Sequence, residues 1–313
     1  SRVGNDTRIV TDNPSRLERD LPFISLDSAI EEELVARSMP LVDLRAQQDR
    51  LRAGLERSLH RVLHHGAYIQ GPEIHALEGE LAEYVGVEHC IGVSSGTDAL
   101  LIALMVLDIG PGDEVVTTPF SFIATAEMIS LVGATAVFAD VDPRTGNLDA
   151  ARLDSAITRR TRAILPVSLY GQCADMTEIN LVAQQHQLPV IEDAAQSFGA
   201  SINEKMSCTF GDISCTSFFP AKPLGCYGDG GAIFTDSQDY DKIIRSLRIH
   251  GQGKDKYNNV RIGINGRLDT IQAAVLIPKL KILNQEIKSR NKIADYYNEK
   301  LSRQFKVQLI PDR

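Results

Sequence analysis

The sequence predicts an α/β fold in which a mostly parallel central sheet is covered by helices on both faces. From Cys90 onward, short and almost wholly apolar β-branched runs alternate with helical stretches. Strands of this kind belong in a parallel sheet, because both of its faces are buried. After Gly211 the rhythm shifts towards antiparallel pieces, and a long helical region follows from Asp269 to about Leu301. That region is expected to lead into a second, smaller lobe.

The composition narrows the class of protein. The chain has 313 residues, enough to bury a substantial core in one or two domains. A hydrophobic fraction of 43% and a charged fraction of 24% are ordinary for a soluble globular protein. The net charge of −8 argues against a nucleic-acid partner, and no apolar run approaches the length of a membrane span.

The cysteines and histidines predict neither a disulfide framework nor a metal site. Five cysteines are scattered without a C-x-x-C pair, which favours the reducing cytoplasm. Glu56, His60 and His64 share a helical spacing that a metal could use. They lack the H-E-x-x-H arrangement, so the polar face of an amphipathic helix is the favoured interpretation.

The elements are expected in a regular order along the chain. Residues 46–65 have leucine and valine at helical spacing and predict an amphipathic helix. The predicted strands are Cys90–Val93, Glu114–Thr118, Ala136–Ala139, Ala163–Val167, Leu188–Ile191, Ser214–Phe218 and Gly231–Thr235. The predicted helices between them are Asp98–Leu107, Ala124–Leu131, Asp149–Ala156 and Met176–Gln185. Ligands in such folds bind at the carboxyl ends of the strands, where polar residues gather in this sequence.

Two polar groups at predicted strand ends are candidates for ligand binding. Ser94–Asp98 ends a strand and opens a helix, where backbone N–H groups and the helix dipole favour a phosphate. A helix cap formed by Thr97 or Asp98 is the alternative interpretation. Asp193 closes an apolar strand and needs a partner there. That partner is either a protonated ring nitrogen or the start of the next helix.

Lys222 lies in the apolar, proline-containing turn Ser217–Gly225, just before a glycine-rich run that ends at Gly231. Apolar surroundings lower the pKa of a lysine, and its neutral amine is a nucleophile that can form a Schiff base. Taken alone, Lys222 is better explained as an ordinary lysine that reaches solvent from a loop. The glycines do not match a dinucleotide fingerprint, because a strand follows them rather than a helix.

Together these residues fit one cofactor, pyridoxal phosphate (PLP). The cofactor requires a lysine for its aldehyde, a carboxylate for its pyridinium nitrogen, a cradle for its phosphate and an aromatic face for its ring. The sequence supplies this set as Lys222, Asp193, Ser95–Thr97 with Ser217, and Phe122.

The same residues resemble the DegT/DnrJ/EryC1/StrS family of PLP-dependent sugar aminotransferases, which has the aspartate-aminotransferase fold (PLP fold type I). The resemblance runs from about residue 40 to residue 285 in the family's order. It rests on the motifs Ser95–Leu100 (SGTDAL), Asp140–Pro143 (DVDP), Val167–Gln172 (VSLYGQ), Ile191–Ser197 (IEDAAQS), Ser217–Lys222 (SFFPAK) and Asn265–Asp269 (NGRLD). So extended a set of motifs is specific to the family.

The resemblance implies a role for each matched position. Lys222 would bind the cofactor and move the proton of the 1,3-prototropic shift, and Asp193 would keep the pyridinium protonated. Asn265 would reach the phosphate in the neighbouring subunit, which predicts a homodimer with shared active sites. The other implied cofactor contacts are Gly96, Thr97 and Ser217 at the phosphate, Gln196 at the 3-hydroxyl and Phe122 on the ring. Lysine at position 222, rather than the histidine of the family's dehydratases, predicts an aminotransferase that alternates between pyridoxal and pyridoxamine phosphate.

Within the family, three stretches are most similar to one subgroup: Tyr170–Asp175, Cys215–Gly231 and Arg261–Arg267. Its members aminate C3 of UDP-2-acetamido-2-deoxy-3-oxo-glucuronate, with glutamate as donor, in bacterial O-antigen synthesis. Between Lys242 and Arg267, seven Lys or Arg residues face a single acid, Asp255. Such a patch suits a diphosphate and a uronate carboxylate, and Arg267 is the predicted partner of the uronate. A solvated basic helix and loop is the alternative interpretation.

The resemblance also predicts the domain organisation. We expect an N-terminal extension of unknown role over residues 1–38, a large PLP-binding domain over 39–275 and the start of a small C-terminal domain over 276–313. Because the family continues beyond the point that matches Arg313, the small domain is expected to be truncated. Two alternative functions stay open. One is a 4-keto nucleotide-sugar aminotransferase, and the other is a dimeric fragment that binds PLP without turnover.

Overall fold

The computed structural model describes residues 42–301, and residues 44–301 belong to one compact unit. The predicted extension over residues 1–38 lies outside the described residues, as does the part of the predicted small-domain segment that follows Leu301. The predicted boundary after Val275 falls inside a continuous helix, Thr270–Leu301. The two-domain organisation therefore stays a prediction.

Eight α-helices are present among the described residues. Local signals explain several of their ends. The second helix has Pro72 in its first turn, and its C-cap is Gly86, whose φ of 86° is left-handed. The bounds are α1 Leu44–His65, α2 Pro72–Val85, α3 Gly96–Val106, α4 Ala124–Leu131, α5 Leu153–Ala156, α6 Met176–His186, α7 Gln238–Leu247 and α8 Thr270–Leu301. Short 3₁₀ turns occupy Ala150–Arg152 and Leu169–Gly171.

Two predicted helices differ from what the structure contains. The helix predicted at Asp98 begins at Gly96, because Ser95 is the N-cap and its Oγ accepts a hydrogen bond from the Asp98 N–H at 3.0 Å. Capping by Thr97 or Asp98 is therefore wrong. The helix predicted over 149–156 is a 3₁₀ turn followed by the single α-turn of α5. The remaining predicted helices agree to within about two residues at each end.

Nine strands form the sheets of the described region. Six of them begin within two residues of a predicted strand, and a seventh, β5, begins three residues later than predicted. The other two, β6 and β7, were not predicted and pair with each other. The bounds are β1 His89–Val93, β2 Glu114–Thr117, β3 Thr135–Phe138, β4 Thr161–Ile164, β5 Ile191–Asp193, β6 Ser201–Ile202, β7 Lys205–Met206, β8 Ile213–Ser217 and β9 Gly231–Thr235. The predicted strand at 188–191 is shifted towards Asp193, and the one at 163–167 ends early, at Ile164.

The seven long strands form one mostly parallel sheet. The ladders β3-β2-β4 and β5-β8-β9-β1 are joined by parallel bridges between Ile164 and Val190 and between Val167 and Asp193. The resulting order is β3-β2-β4-β5-β8-β9-β1, and only β9 runs antiparallel to its neighbours. The predicted parallel sheet is confirmed. The predicted antiparallel pieces after Gly211 are confirmed, because β8 and β9 pair antiparallel. On its other side β8 pairs in parallel with β5.

Helices cover both faces of this sheet. Alternate residues of β1 and β9 point to opposite sides, so that Ile91 and Ile233 pack with α3 whereas Cys90 and Phe234 pack with α2 and α8. A third apolar cluster joins β4 to α6 around Ile164 and Ile179. This two-sided burial leaves the carboxyl edge of the parallel strands as the place where polar side chains can meet.

The described residues were expected to contain neither a membrane span nor a metal site. No helix within residues 42–301 has the length and apolarity to cross a membrane. The same residues contain no group of three or more His, Cys, Asp or Glu side chains arranged to hold a metal ion. Glu56, His60 and His64 are exposed on α1. All five cysteines are buried and free.

Candidate active site

Polar side chains from four strands meet at the carboxyl edge of the sheet. Ser95 follows β1, Thr118 follows β2, Asp193 ends β5 and Ser217 ends β8. These four strands run in the same direction, so their carboxyl ends lie along one edge. The predicted cofactor residues are therefore brought together from segments more than 100 positions apart in the sequence.

Lys222 is held in a tight turn that follows β8. Its backbone N–H donates to the Phe219 carbonyl at 2.8 Å, and its side chain is half-buried. Burial lowers the pKa of the Lys222 amine, while the charge of Asp193 acts in the opposite direction. The direction of the shift is the one expected for a nucleophilic lysine. The mutual effect also places the two side chains within electrostatic reach of each other.

Asp193 is 5% exposed and is held by two hydrogen bonds. Its Oδ2 accepts from the Thr125 hydroxyl at 2.8 Å, and its Oδ1 accepts from the Ala195 N–H at 3.1 Å. Burial raises the pKa of Asp193, whereas the two hydrogen bonds and Lys222 lower it. The bond to Ala195 is the local capping contact considered from the sequence. It leaves the carboxylate able to serve a cationic ring nitrogen as well.

Thr125 is a site residue that the sequence interpretation missed. It lies in α4, is 1% exposed and orients the Asp193 carboxylate. The Phe122 carbonyl accepts a hydrogen bond from its backbone N–H at 3.4 Å, so the two residues share one helical turn. The sequence signal that could have identified Thr125 is a hydroxyl residue three positions after Phe122, the predicted stacking residue. Its contact with Asp193, 68 positions away, could not be read from the sequence.

A cradle for an anion lies at the N-terminus of α3. Gly96 lies directly against Ser217, and a Cβ on this glycine would come within 2.6 Å of the Ser217 Cβ. Gly96 and Thr97 are the first residues of the helix, whose leading N–H groups have no partner within the helix. This close approach of backbone to Ser217 is what a phosphate site needs.

Gln196 takes part in a hydrogen bond in this region, whereas Phe122 is exposed. The Oε1 of Gln196 accepts a hydrogen bond from the Tyr170 N–H at 2.9 Å, which leaves its NH₂ group to act as a donor. Tyr170 has a left-handed φ of 55°, and its ring meets Phe120 edge-on at 6.1 Å. Gln196, Tyr170 and Phe120 line a cleft of about 1820 Å³. The Phe122 ring is 68% exposed, so its role as a stacking partner stays a prediction.

Asn265 and Arg267 lie on one extended segment. Asn265 is exposed and its backbone bridges Ile249, whereas Arg267 bridges Val93 at the end of β1. The Arg267 Nε is buried, and no hydrogen-bond partner for it is present among residues 42–301. Burying a donor without a partner is costly, so the half-buried Arg267 guanidinium has unused hydrogen-bonding capacity that suits an anion.

The basic region around these residues is smaller than the sequence suggested. Arg245 donates to Glu78 at 2.9 Å and to Asp241 at 2.7 Å, and Arg248 is buried against Glu78 at 2.6 Å. Lys242 lies 3.2 Å from Asp239. The expectation that seven cations face a single acid is therefore wrong, because three of them have acidic partners from outside the counted segment. Lys254, Lys256 and Arg261 are exposed on the following loop.

The donor set fits PLP. A half-buried amine and a buried carboxylate lie within electrostatic reach, and the glycine at position 96 leaves room for a phosphate beside a helix N-terminus. The buried position of Asp193 suits a charged partner, because its negative charge is otherwise poorly solvated.

The chain is similar to aminotransferases of known structure. An aminotransferase from Brucella abortus has a crystal structure that superimposes with a TM-score of 0.86 at 47% identity, covering 88% of this chain and 75% of that one. This match, together with the site, defines a PLP-dependent aminotransferase. Over residues 50–312 the sequence matches the DegT/DnrJ/EryC1/StrS aminotransferase family, and the chain belongs to that family.

Two further relatives indicate the chemistry of the family. The UDP-2-acetamido-2-deoxy-3-oxo-D-glucuronate aminotransferase of Pseudomonas aeruginosa is 54% identical over 257 residues, which cover 82% of this chain and 71% of that protein. NtdA from Bacillus subtilis, crystallised with bound PMP, is 34% identical with a TM-score of 0.79. That match covers 85% of this chain and 61% of NtdA. The protein is a PLP-dependent sugar aminotransferase.

Proposed function

We propose that this enzyme transfers the amino group of glutamate to C3 of UDP-2-acetamido-2-deoxy-3-oxo-glucuronate, in the synthesis of bacterial O-antigen. The 54% identity to an aminotransferase of that name supports the sugar. The observation that carries the proposal is the unpartnered Nε of Arg267, beside the end of β1. An arginine in this state suits the carboxylate that distinguishes a uronate from a neutral sugar.

Each candidate site residue has a proposed role in transamination. When bound, PLP supplies a ring that withdraws electrons from the carbon carrying the amino group. Because burial lowers its pKa, the Lys222 amine would be suited to accept a proton at its Nζ and to return it at the neighbouring position. Asp193 would hold the proton on the ring nitrogen through its negative charge. Gly96, Thr97 and Ser217 would bind the phosphate, and Gln196 would donate a hydrogen bond towards the ring hydroxyl.

The enzyme is proposed to act as a cytoplasmic homodimer in which each active site includes Asn265 of the other subunit. The exposure of Asn265 supports this arrangement, because its side chain is accessible to a neighbouring subunit. The basic loop at residues 254–261 adds positive charge close to the same segment and suits a nucleotide diphosphate.

Cofactor binding and substrate choice can be tested together. The purified protein with added PLP is expected to be yellow and to bleach when glutamate is added. It should then aminate a 3-keto UDP-sugar faster than a 4-keto UDP-sugar. Faster amination of the 4-keto sugar would identify the alternative ring position. Colour without bleaching would identify a PLP-binding fragment, and absence of colour would contradict the proposed function as a whole.

The role of Arg267 has its own test. In the Arg267→Ala variant, loss of a charged hydrogen-bond donor is expected to raise KM for the uronate about tenfold or more. KM for the corresponding neutral keto-sugar should change much less, since that sugar offers no carboxylate. Arg52→Ala is the matched control, because Arg52 is exposed on α1 and paired with Asp49. Equal effects of Arg267→Ala on the two sugars would exclude a carboxylate contact.

A further inference from the structure

The loop that follows Lys222, residues Pro223–Gly228, is held by α8. The Tyr227 N–H donates to the Gln272 Oε1 at 2.9 Å, and the Tyr227 carbonyl accepts from the Gln272 Nε2 at 3.3 Å. Two turns further along α8, Lys279 donates a hydrogen bond to the Gly225 carbonyl. Its Nζ also lies 4.6 Å from the centroid of the Tyr227 ring, within range of a cation–π contact.

Lys279 is an unusual residue for this position. It is 2% exposed, and within residues 42–301 no carboxylate lies at ion-pair distance from it. The titratable groups that affect it are the Cys226 thiol and the Glu286 carboxylate, and burial lowers the pKa of Lys279 to about 8. A buried amine without an ion-pair partner costs stability, so its contacts must offset that cost.

Direct contacts connect Lys279 to the turn that carries Lys222. Gly225 packs beneath this turn, where a Cβ would lie 2.8 Å from the Phe219 carbonyl oxygen. The same oxygen accepts the backbone N–H of Lys222 at 2.8 Å. We therefore expect a shift of Gly225 to disturb Phe219, and a shift of Phe219 to weaken the hydrogen bond that closes the turn.

We infer that Lys279 is a positioning residue for Lys222. By holding the Gly225 carbonyl and the Tyr227 ring, it fixes the loop that keeps the Lys222 turn folded and the Lys222 amine half-buried opposite Asp193. This inference rests on the proposed role of Lys222 in the reaction. No residue of the loop needs to touch substrate for this effect.

The first arm of the test measures hydrogen exchange in the cofactor-free protein. Replacing the buried donor in Lys279→Met should speed exchange of the Lys222, Cys226 and Tyr227 amides about tenfold. The matched control is Lys281→Met, the same change at an exposed position of α8. Tyr227→Leu, which removes only the ring contact, serves if Lys279→Met does not fold. It should change exchange in the same direction by less.

The second arm measures the reactivity of the Lys222 amine by competitive labelling across a range of pH. A loosened turn admits water, so the labelling midpoint of Lys222 should rise by about half a pH unit or more in Lys279→Met. Lys279→Arg keeps a cationic donor and should restore the wild-type midpoint at least in part. A purely structural role would leave that midpoint unchanged.

The outcomes separate this inference from the proposed function. Unchanged exchange in the loop, or faster exchange without a shifted labelling midpoint, would overturn the inference. Neither measurement requires bound cofactor or turnover. If both shifts are found but wild-type protein fails to bind PLP or transfer an amino group, the proposed function fails and the positioning of Lys222 stands.

Discussion

At the scale of single residues, burial and the attraction between opposite charges have opposing effects on the pKa values of the site. Burial raises the pKa of Asp193 and lowers that of Lys222, so burial disfavours the charged form of each group. The mutual attraction of the two charges limits both shifts, and the bonds from Thr125 and Ala195 further limit that of Asp193. A cationic cofactor ring would further stabilise the carboxylate. We therefore expect activity to depend strongly on the negative charge of Asp193.

Replacing Asp193 by Asn tests this dependence on charge. The amide has nearly the shape of the carboxylate but cannot keep a proton on the ring nitrogen, so kcat should fall about 100-fold or more. Thr125→Val removes only the hydroxyl bond and should lower kcat about tenfold. Steady-state kinetics and near-UV circular dichroism give both answers. A smaller loss in Asp193→Asn than in Thr125→Val would contradict the assigned role.

Gly96 is predicted to be required for space. A methyl group there meets Ser217 at 2.6 Å, so Gly96→Ala should reduce the free energy of unfolding by about 1–3 kcal/mol, although alanine favours helices. The double variant Gly96→Ala with Ser217→Gly should regain most of that stability, because the facing side chain is gone. Urea denaturation of the cofactor-free protein measures both. Stability equal to wild type in Gly96→Ala alone would show that the cradle is not closely packed.

At the scale of elements, Glu78 joins three of them. It lies in α2 and accepts hydrogen bonds from Arg245 in α7, from Arg248 at the C-cap of α7 and from the Gly92 N–H in β1. Burial raises the pKa of Glu78, but attraction by Arg248 and Arg245 outweighs this effect and leaves the pKa lowered. The Arg248 carbonyl in turn accepts the Gly266 N–H at 2.9 Å, so the network reaches the segment that carries Arg267.

Removing this charge is expected to destabilise the fold. Glu78→Gln leaves Arg248 buried without its counter-ion, so the free energy of unfolding should fall by about 3–5 kcal/mol at neutral pH. A carboxylate with a lowered folded pKa stabilises above its ordinary value of 4.5, so the advantage of wild type should shrink as pH falls below that value. Arg52→Ala, at an exposed pair, is the control. An advantage that is unchanged at low pH would exclude this linkage.

The sequence predicts elements better than the contacts between them. Helix α4 and strand β9 begin and end where predicted, since local pattern and flanking turn residues determine them. The strands near Pro166 and Pro189 differ, because proline has no N–H for the ladder and only its carbonyl pairs there. Glu78 is 170 residues from Arg248. Counting the charges between Lys242 and Arg267 therefore could not show that Glu78 neutralises Arg245 and Arg248.

At the scale of the whole molecule, shared active sites can be tested by mixing subunits. Lys222→Ala and Asn265→Ala are each expected to be almost inactive as homodimers. A mixed dimer contains one site with both residues intact, so random exchange of equal amounts should restore about one quarter of wild-type activity. Mixing after chemical cross-linking of each variant is the control and should restore none. If the unlinked mixture also stays inactive, Asn265 does not act across the dimer.

The place of β1 in the sheet has a consequence for biosynthesis. Its ladder partner is β9, in which Ile233 faces Ile91 across the two strands. At the usual pace of a ribosome, about 140 residues take roughly 7–28 s to be added. During that time the apolar strand Cys90–Val93 has left the exit tunnel while its neighbour is still being translated. The growing polypeptide therefore exposes an aggregation-prone segment, and a chaperone that shields it should raise the yield of native enzyme.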